Sequence, residues 1–172
     1  MRTERFLKPI GLAVLLLSLC GCAGYRLGSM LPPGISSVFV PTFVNETDEP
    51  QIEFETTSAV ISQLVRDGSL RVVSSEEAAD AILLVTLVDY RLDPIGFDRN
   101  RGTASEEYRV YLIADTRLVN ASTGEVILHE PSVTGDATFE LQTDLTSGKR
   151  TVLPLAARDL GRDIVQLIVE FW

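Results

Sequence analysis

Two stretches of the chain carry apolar residues at helical spacing. In residues 54–65 these residues form a stripe along one helical face, and Gly68 follows as a C-terminal stop. Asp48 precedes this stripe at a position that suits a helix cap. A second stripe begins near Pro154, because proline is tolerated in a first turn. The pattern predicts two helices, the second of them close to the C-terminus.

Five segments have the apolar content or the alternation that is typical of strands. They are residues 38–44, 70–74, 81–90, 108–119 and 126–139. Pro41 cannot donate to a strand ladder and so favours an edge position for the first segment. The third segment is apolar at nearly every position, which predicts a central strand covered on both faces. A break or bulge is expected in the last segment around Pro131 and Gly135.

The elements follow one another in the order β-α-β-β-β-β-α. Runs of strands flanked by helices are typical of the α+β class. We therefore predict two helices packed on one face of a mostly antiparallel or mixed sheet of four to five strands. One domain, residues 38–172, contains all of these elements.

The first 21 residues have the pattern of a secretory signal peptide. Arg2, Arg5 and Lys8 supply positive charge, and residues 10–19 form an apolar run. That run is too short to cross a bilayer, which takes about 20 apolar residues. Residues 1–21 are therefore predicted to be removed on export.

Cys22 is predicted to receive a lipid anchor. The sequence Leu19-Cys20-Gly21-Cys22 resembles the bacterial lipobox, with an apolar residue at −3 and a small residue at −1. Cys20 fits poorly, since Leu19 would occupy its −1 position. The alternative is an ordinary cleaved signal with two incidental cysteines. Ala23 follows where retained inner-membrane lipoproteins typically carry Asp, so the outer membrane is expected, with residues 22–37 as anchor and tether.

Charge and cysteine content narrow the range of functions. The full chain has a formal charge of −9, and removal of residues 1–21 leaves 12 basic and 23 acidic side chains, a charge of −11. Nucleic-acid binding, which requires a basic surface, is disfavoured. With Cys22 acylated and Cys20 removed, no thiol remains for a disulfide or a cysteine-based metal site.

The search for catalytic residues finds no constellation. The chain has a single histidine, His129, in a predicted strand, where a structural or exposed role is the usual one. The paired acids Glu76-Glu77 and Glu106-Glu107 fall in turns or strand starts and are interpreted as solvated charge. We therefore expect no enzyme activity, no cofactor and no metal, and a role in binding or assembly.

Several short motifs resemble those of the lipopolysaccharide-assembly lipoproteins of the LptE family. Residues 22–27 are similar to the family's Cys-Gly-Tyr-x-Leu opening, with Ala23 inserted. The other similar segments, in the family's order, are residues 38–47 ending in Asn-Glu-Thr, the pair Val72-Val73, the Ala-Asp start at 79–83, and the hairpin segments 108–110 and 123–126. The resemblance spans nearly the whole chain and rests on the order and spacing of these motifs.

The resemblance implies a specific function. Members of the family are non-enzymatic α+β lipoproteins that sit as a plug inside the outer-membrane barrel LptD. The pair inserts lipopolysaccharide into the outer leaflet. The expected partners are thus an LptD-like barrel, lipopolysaccharide, and the outer membrane through acylated Cys22, with the domain facing the periplasm or inside the barrel lumen.

Lipopolysaccharide is anionic, so an acidic domain needs a local basic patch to contact it. Candidate contacts lie between and on the long strands: Arg91, Arg99, Arg101 and Arg109. Arginine suits phosphate through its planar fork. The alternative is that these arginines pair with nearby acids such as Asp89, Asp93 and Asp98.

A second class of envelope lipoprotein has a similar strand-helix arrangement. These lipoproteins activate peptidoglycan synthases by docking on a penicillin-binding protein, usually through a long linker after the cysteine. Here about 15 residues separate Cys22 from the first strand, which span at most about 50 Å. This short tether favours a membrane-embedded partner. An envelope hydrolase is a third alternative, disfavoured because no catalytic constellation is present.

Overall fold

A computed structural model describes residues 34–96, 107–140 and 144–170. Within these ranges the chain forms six strands, two α-helices and a short 3-10 turn at Glu76–Ala78. In chain order the elements are β1 (Ser37–Phe39), β2 (Val44–Asn45), α1 (Ile52–Asp67), β3 (Arg71–Val73), β4 (Ala81–Gly96), β5 (Glu107–Asn120), β6 (Val126–Glu140) and α2 (Leu145–Glu170).

The strands form one mixed sheet in the order β3-β1-β4-β5-β6, and β2 also pairs with β4. Strands β1, β2 and β3 take part in parallel pairs, whereas β4, β5 and β6 form an antiparallel meander. The predicted α+β class is confirmed. The predicted opening strand is divided into β1 and β2, so the sheet has six strands in the described residues rather than four to five.

Helix α1 ends as predicted but begins later. Its buried residues Ile52, Val60 and Leu64 share one face, and the Gly68 amide, at φ 76°, donates to the Leu64 carbonyl at 3.0 Å. The predicted cap at Asp48 is wrong, because the helix starts at Ile52. The preceding residues are instead held in a polar turn described below.

Helix α2 begins at Leu145, well before the predicted start near Pro154. The Asp144 carboxylate accepts hydrogen bonds from the Ser147 amide at 2.9 Å and from its hydroxyl at 2.8 Å, which caps the first turn. Pro154 therefore lies inside the helix, where its missing N–H cannot bond to the Arg150 carbonyl. The polar residues 146–150 are thus part of the helix.

The core lies between the two helices and one face of the sheet. Along β4, Leu83, Val85 and Leu87 are buried against the helix layer. The predicted covering of β4 on both faces is wrong, since Leu84 and Val88 are 42% and 40% exposed. One face of the three long strands is therefore left uncovered by the helices of the described chain.

Two features of β6 explain how it fits against α2. The bulge predicted near Pro131 is present, because the β5–β6 register shifts between the Ala114 and Thr116 pairs. Gly135, in contrast, pairs regularly with Leu112. It is needed for close approach, because a β-carbon there would overlap the backbone of Leu160.

Candidate interaction surface

The uncovered face of β4, β5 and β6 carries both predicted site residues that fall within the described ranges, and we call it the open face. Strand register places Arg91 opposite Tyr111, and Tyr111 opposite Asp136. Because side chains alternate along strands, every second residue points to this face. The open face includes Leu84, Asp89, Arg91, Asp93, Arg109, Tyr111, Ile113, Asp115, Arg117, His129 and Asp136.

The predicted basic residues Arg91 and Arg109 come together on the open face. They lie on neighbouring strands in diagonal positions, since Arg91 pairs with Tyr111 and Arg109 pairs with Asp93. The Arg91 guanidinium lies 3.7 Å from the Asp89 carboxylate and 5.1 Å from the centre of the Tyr111 ring. A cation above an aromatic ring gains a modest further attraction.

Arg109 also has a carboxylate neighbour. Its Nε lies 3.5 Å from an Asp136 oxygen, in a geometry that makes no hydrogen bond. Both described arginines thus stand beside acids, so the open face alternates in charge. Arg99 and Arg101 fall within 97–106, and Cys22 falls within 1–33, so these three candidates lie outside the described residues.

The lone histidine belongs to a polar cluster on the same face. The Asp115 carboxylate contacts His129 Nε2 at 2.8 Å and Arg117 Nε at 2.9 Å. The hydrogen bond with His129, followed by that from Arg117, lowers the pKa of Asp115 below its usual range. The predicted structural or exposed role of His129 fits this geometry. Its partner Asp115 was not predicted, since only the hairpin register brings them together.

One residue of the Ala-Asp motif has a clear structural role. Asp80 Oδ2 accepts hydrogen bonds from the amides of Ser36 and Ser37, both at 3.0 Å, and from their hydroxyls at 2.9 and 2.7 Å. These bonds, led by the Ser37 hydroxyl, lower the pKa of Asp80 to about 2. Asp80 therefore ties the start of β1 to the start of β4.

The Asn-x-Thr motif forms the turn that leads into α1. The side-chain oxygen of Asn45 accepts hydrogen bonds from the amide and the hydroxyl of Thr47, at 3.0 and 2.8 Å. The Asn45 amide group donates to the Glu49 carbonyl and to Glu53, both at 2.9 Å. This Asx-type turn sets the entry of α1, the role expected of a cap at Asp48.

No group of three His, Cys, Asp or Glu side chains in the described ranges is placed to hold a metal ion. The helices described here include none that is both long and apolar enough to cross a membrane. The described surface carries alternating charges, the contact between His129 and Asp115, and arginine side chains. These groups suit recognition of polar partners.

Comparison with solved structures identifies relatives by fold. A hypothetical protein of Chlamydia trachomatis superposes with a TM-score of 0.54 at 12% identity, covering 80% of this chain and 97% of its own. A Xanthomonas campestris protein gives 0.51 at 9% identity, covering 81% and 90%. A minor lipoprotein of Acinetobacter baumannii gives 0.50 at 11% identity, covering 80% and 93%. At these identities the likeness concerns the fold alone.

Sequence comparison is more specific. A search of curated proteins found no matching relative. The family model described as "LptE: Lipopolysaccharide-assembly" matches residues 35–170, which include every described strand and both helices. The chain therefore belongs to the LptE family of lipopolysaccharide-assembly proteins.

Proposed function

We propose that this protein is a non-catalytic outer-membrane lipoprotein that plugs an LptD-type barrel and helps to insert lipopolysaccharide into the outer leaflet. The observation that carries the proposal is the family match over residues 35–170. The match covers the whole folded domain, so the function is assigned to the domain and not to an isolated motif.

The anchor and tether support a location at the membrane. Acylation of Cys22 would leave 14 residues before β1 begins at Ser37. Such a chain spans at most about 50 Å when extended, so the domain stays close to the bilayer. Several acyl chains on Cys22 would hold it there stably, whereas one chain binds only marginally.

The open face supports a position in a polar lumen. Its charged residues alternate in sign, and the interiors of large outer-membrane barrels are polar. An uncovered sheet face that pairs Arg91 with Asp89 and Arg109 with Asp136 can exchange these contacts for partner groups. The same face gives the domain a surface on which an anionic lipid headgroup can be received.

Lipopolysaccharide contact is assigned to Arg91, Arg99, Arg101 and Arg109. Arg91 and Arg109 lie diagonally on the open face, and β4 and β5 both lead toward the segment that carries the other two. Asp89 and Asp136 compete for the described arginines. A phosphate group must therefore displace these carboxylates from the arginines. Its greater negative charge and its bidentate hydrogen bonding favour that exchange.

The test is a pull-down of the full-length protein with its native anchor, extracted from membranes in mild detergent. Co-purification of a large outer-membrane barrel in about equal amount is the expected result. Cys22→Ser serves as the control for the anchor, and we expect it to lose membrane localisation. Recovery of a penicillin-binding protein instead of a barrel would overturn the proposal.

A further inference from the structure

A groove beside the open face, with Asp136 at the border between the two, contains three arginines. It lies where α1 and α2 meet the last strand, and its volume is about 380 Å³. Arg66 comes from α1, whereas Arg158 and Arg162 come from α2. We call this feature the arginine groove, and its lining is completed by Gln63, Asp136, Ala137, Leu155 and Asp159.

Two of the three arginines have no acidic partner among the described residues. Arg66 Nε donates to the Ser62 carbonyl at 3.4 Å, and Arg158 Nε donates to the Pro154 carbonyl at 3.1 Å. Within the described ranges neither guanidinium has a carboxylate within 4.0 Å. Both side chains are exposed, so their terminal nitrogens remain available to a partner.

The acids on the rim of the groove are already engaged. Asp159 accepts from Arg162 and, at 3.1 Å, from the Asp136 amide. The Asp136 carboxylate faces Arg109 at 3.5 Å. Unpaired arginines therefore persist in a chain whose net charge is −9, although acids are abundant. Arg66 lies in the last turn of α1, where the helix dipole stabilises a cation. Arg158 lies in the interior of α2, where the dipole gives no such stabilisation.

The composition of the groove favours a protein ligand. Leu155 is 43% exposed beside the arginines, and Ala137 also lines the groove. Arginine next to exposed apolar surface is typical of the energetically important part of protein interfaces.

We propose that the arginine groove docks an acidic segment of the protein partner, with Asp or Glu side chains paired to Arg66 and Arg158 and an apolar side chain on Leu155. The identity of that partner as a barrel rests on the proposed function. The two surfaces then have different roles: the open face binds the lipid, and the arginine groove binds the partner protein.

The experiment measures, in detergent, how strongly full-length, anchored variants hold the barrel as the salt concentration rises. Arg66→Gln with Arg158→Gln removes both charges, and Arg71→Gln, on the exposed edge strand β3, is the matched control. We expect the double variant to bind the barrel on the order of tenfold more weakly and with a smaller salt dependence. Arg71→Gln should match the wild type. Unchanged thermal melting of the double variant shows that it is folded.

The outcomes separate this inference from the proposed function. If the wild type captures no barrel, the proposed function fails. If the wild type and the double variant hold the barrel equally well, the docking inference alone is wrong. Competition supplies a further test, with inorganic phosphate, phosphatidylglycerol in detergent micelles and a Glu-Leu repeat peptide as competitors. Release of the barrel at about 10-fold lower concentrations of either phosphate compound than of the peptide would assign the groove to a phosphate ligand and overturn the inference.

Discussion

The backbone amide of Asp136 donates a hydrogen bond to the carboxylate of Asp159 at 3.1 Å, which joins the outer edge of strand β6 to helix α2. Strand β6 ends the sheet, so its outward amides have no strand partner in the described chain. Exposed edge amides invite pairing with other chains. Asp159 therefore supplies a hydrogen-bond acceptor for one of these edge amides, at the point where α2 crosses β6.

Replacement of Asp159 by Ala should lower the free energy of unfolding by about 1 to 2 kcal/mol, because the Asp136 amide loses its acceptor. Asp159→Asn should lose less, since an amide oxygen still accepts. Asp163→Ala removes a carboxylate whose ion-pair partner within the described residues is Arg162, and it is the control. Urea denaturation measures all three. Equal losses for Asp159→Ala and Asp163→Ala would show that the edge bond contributes nothing.

Gly135→Ala should destabilise the protein by about 1 to 3 kcal/mol, because the new methyl group overlaps the Leu160 backbone and forces α2 away from β6. Gly161→Ala is the comparison. Its β-carbon would lie 3.3 Å from the Ala59 backbone, and alanine favours the helix more than glycine does. We expect it to be close to neutral by thermal melting. A neutral Gly135→Ala would mean that the helix shifts freely on the sheet.

Asp80 should make stability depend on acid. Its folded pKa of about 2 lies below the ordinary value of 3.8, so its contribution is present above pH 3.8 and is lost as the pH falls toward 2. Asp80→Asn should lower the urea midpoint at pH 7 and flatten the decline between pH 4 and pH 2. Asp48→Asn, in an exposed turn, removes the same charge and should preserve that decline. Identical acid profiles for both variants would contradict this role for Asp80.

Lipopolysaccharide contact by the four arginines is tested with two paired substitutions. Arg99→Ala with Arg101→Ala, and separately Arg91→Gln with Arg109→Gln, should each reduce photo-crosslinking to lipopolysaccharide several-fold, since each removes two phosphate-binding forks. Arg117→Gln, held by Asp115 on the same face, is the control. Unchanged crosslinking in both double variants would show that these arginines serve only their neighbouring acids.

Local pattern was sufficient for much of the fold. The stripe of α1 and its stop at Gly68, the alternation along β5, the bulge near Pro131 and the α+β class all follow from the spacing of apolar residues and from backbone preferences. The start of α2 was misjudged because Pro154 is a stronger local signal than the cap between Asp144 and Ser147.

The sequence by itself determined the kind of protein: an acidic α+β domain with motifs that resemble the LptE family, behind a segment that is predicted to be an export signal. Tertiary structure alone decided which surfaces are free. Leu84 is exposed although residues 81–88 are almost entirely apolar, and Arg66 and Arg158 line one groove although 92 positions separate them. The physical reason is that periodicity is local, whereas strand register and helix crossing depend on contacts between distant residues.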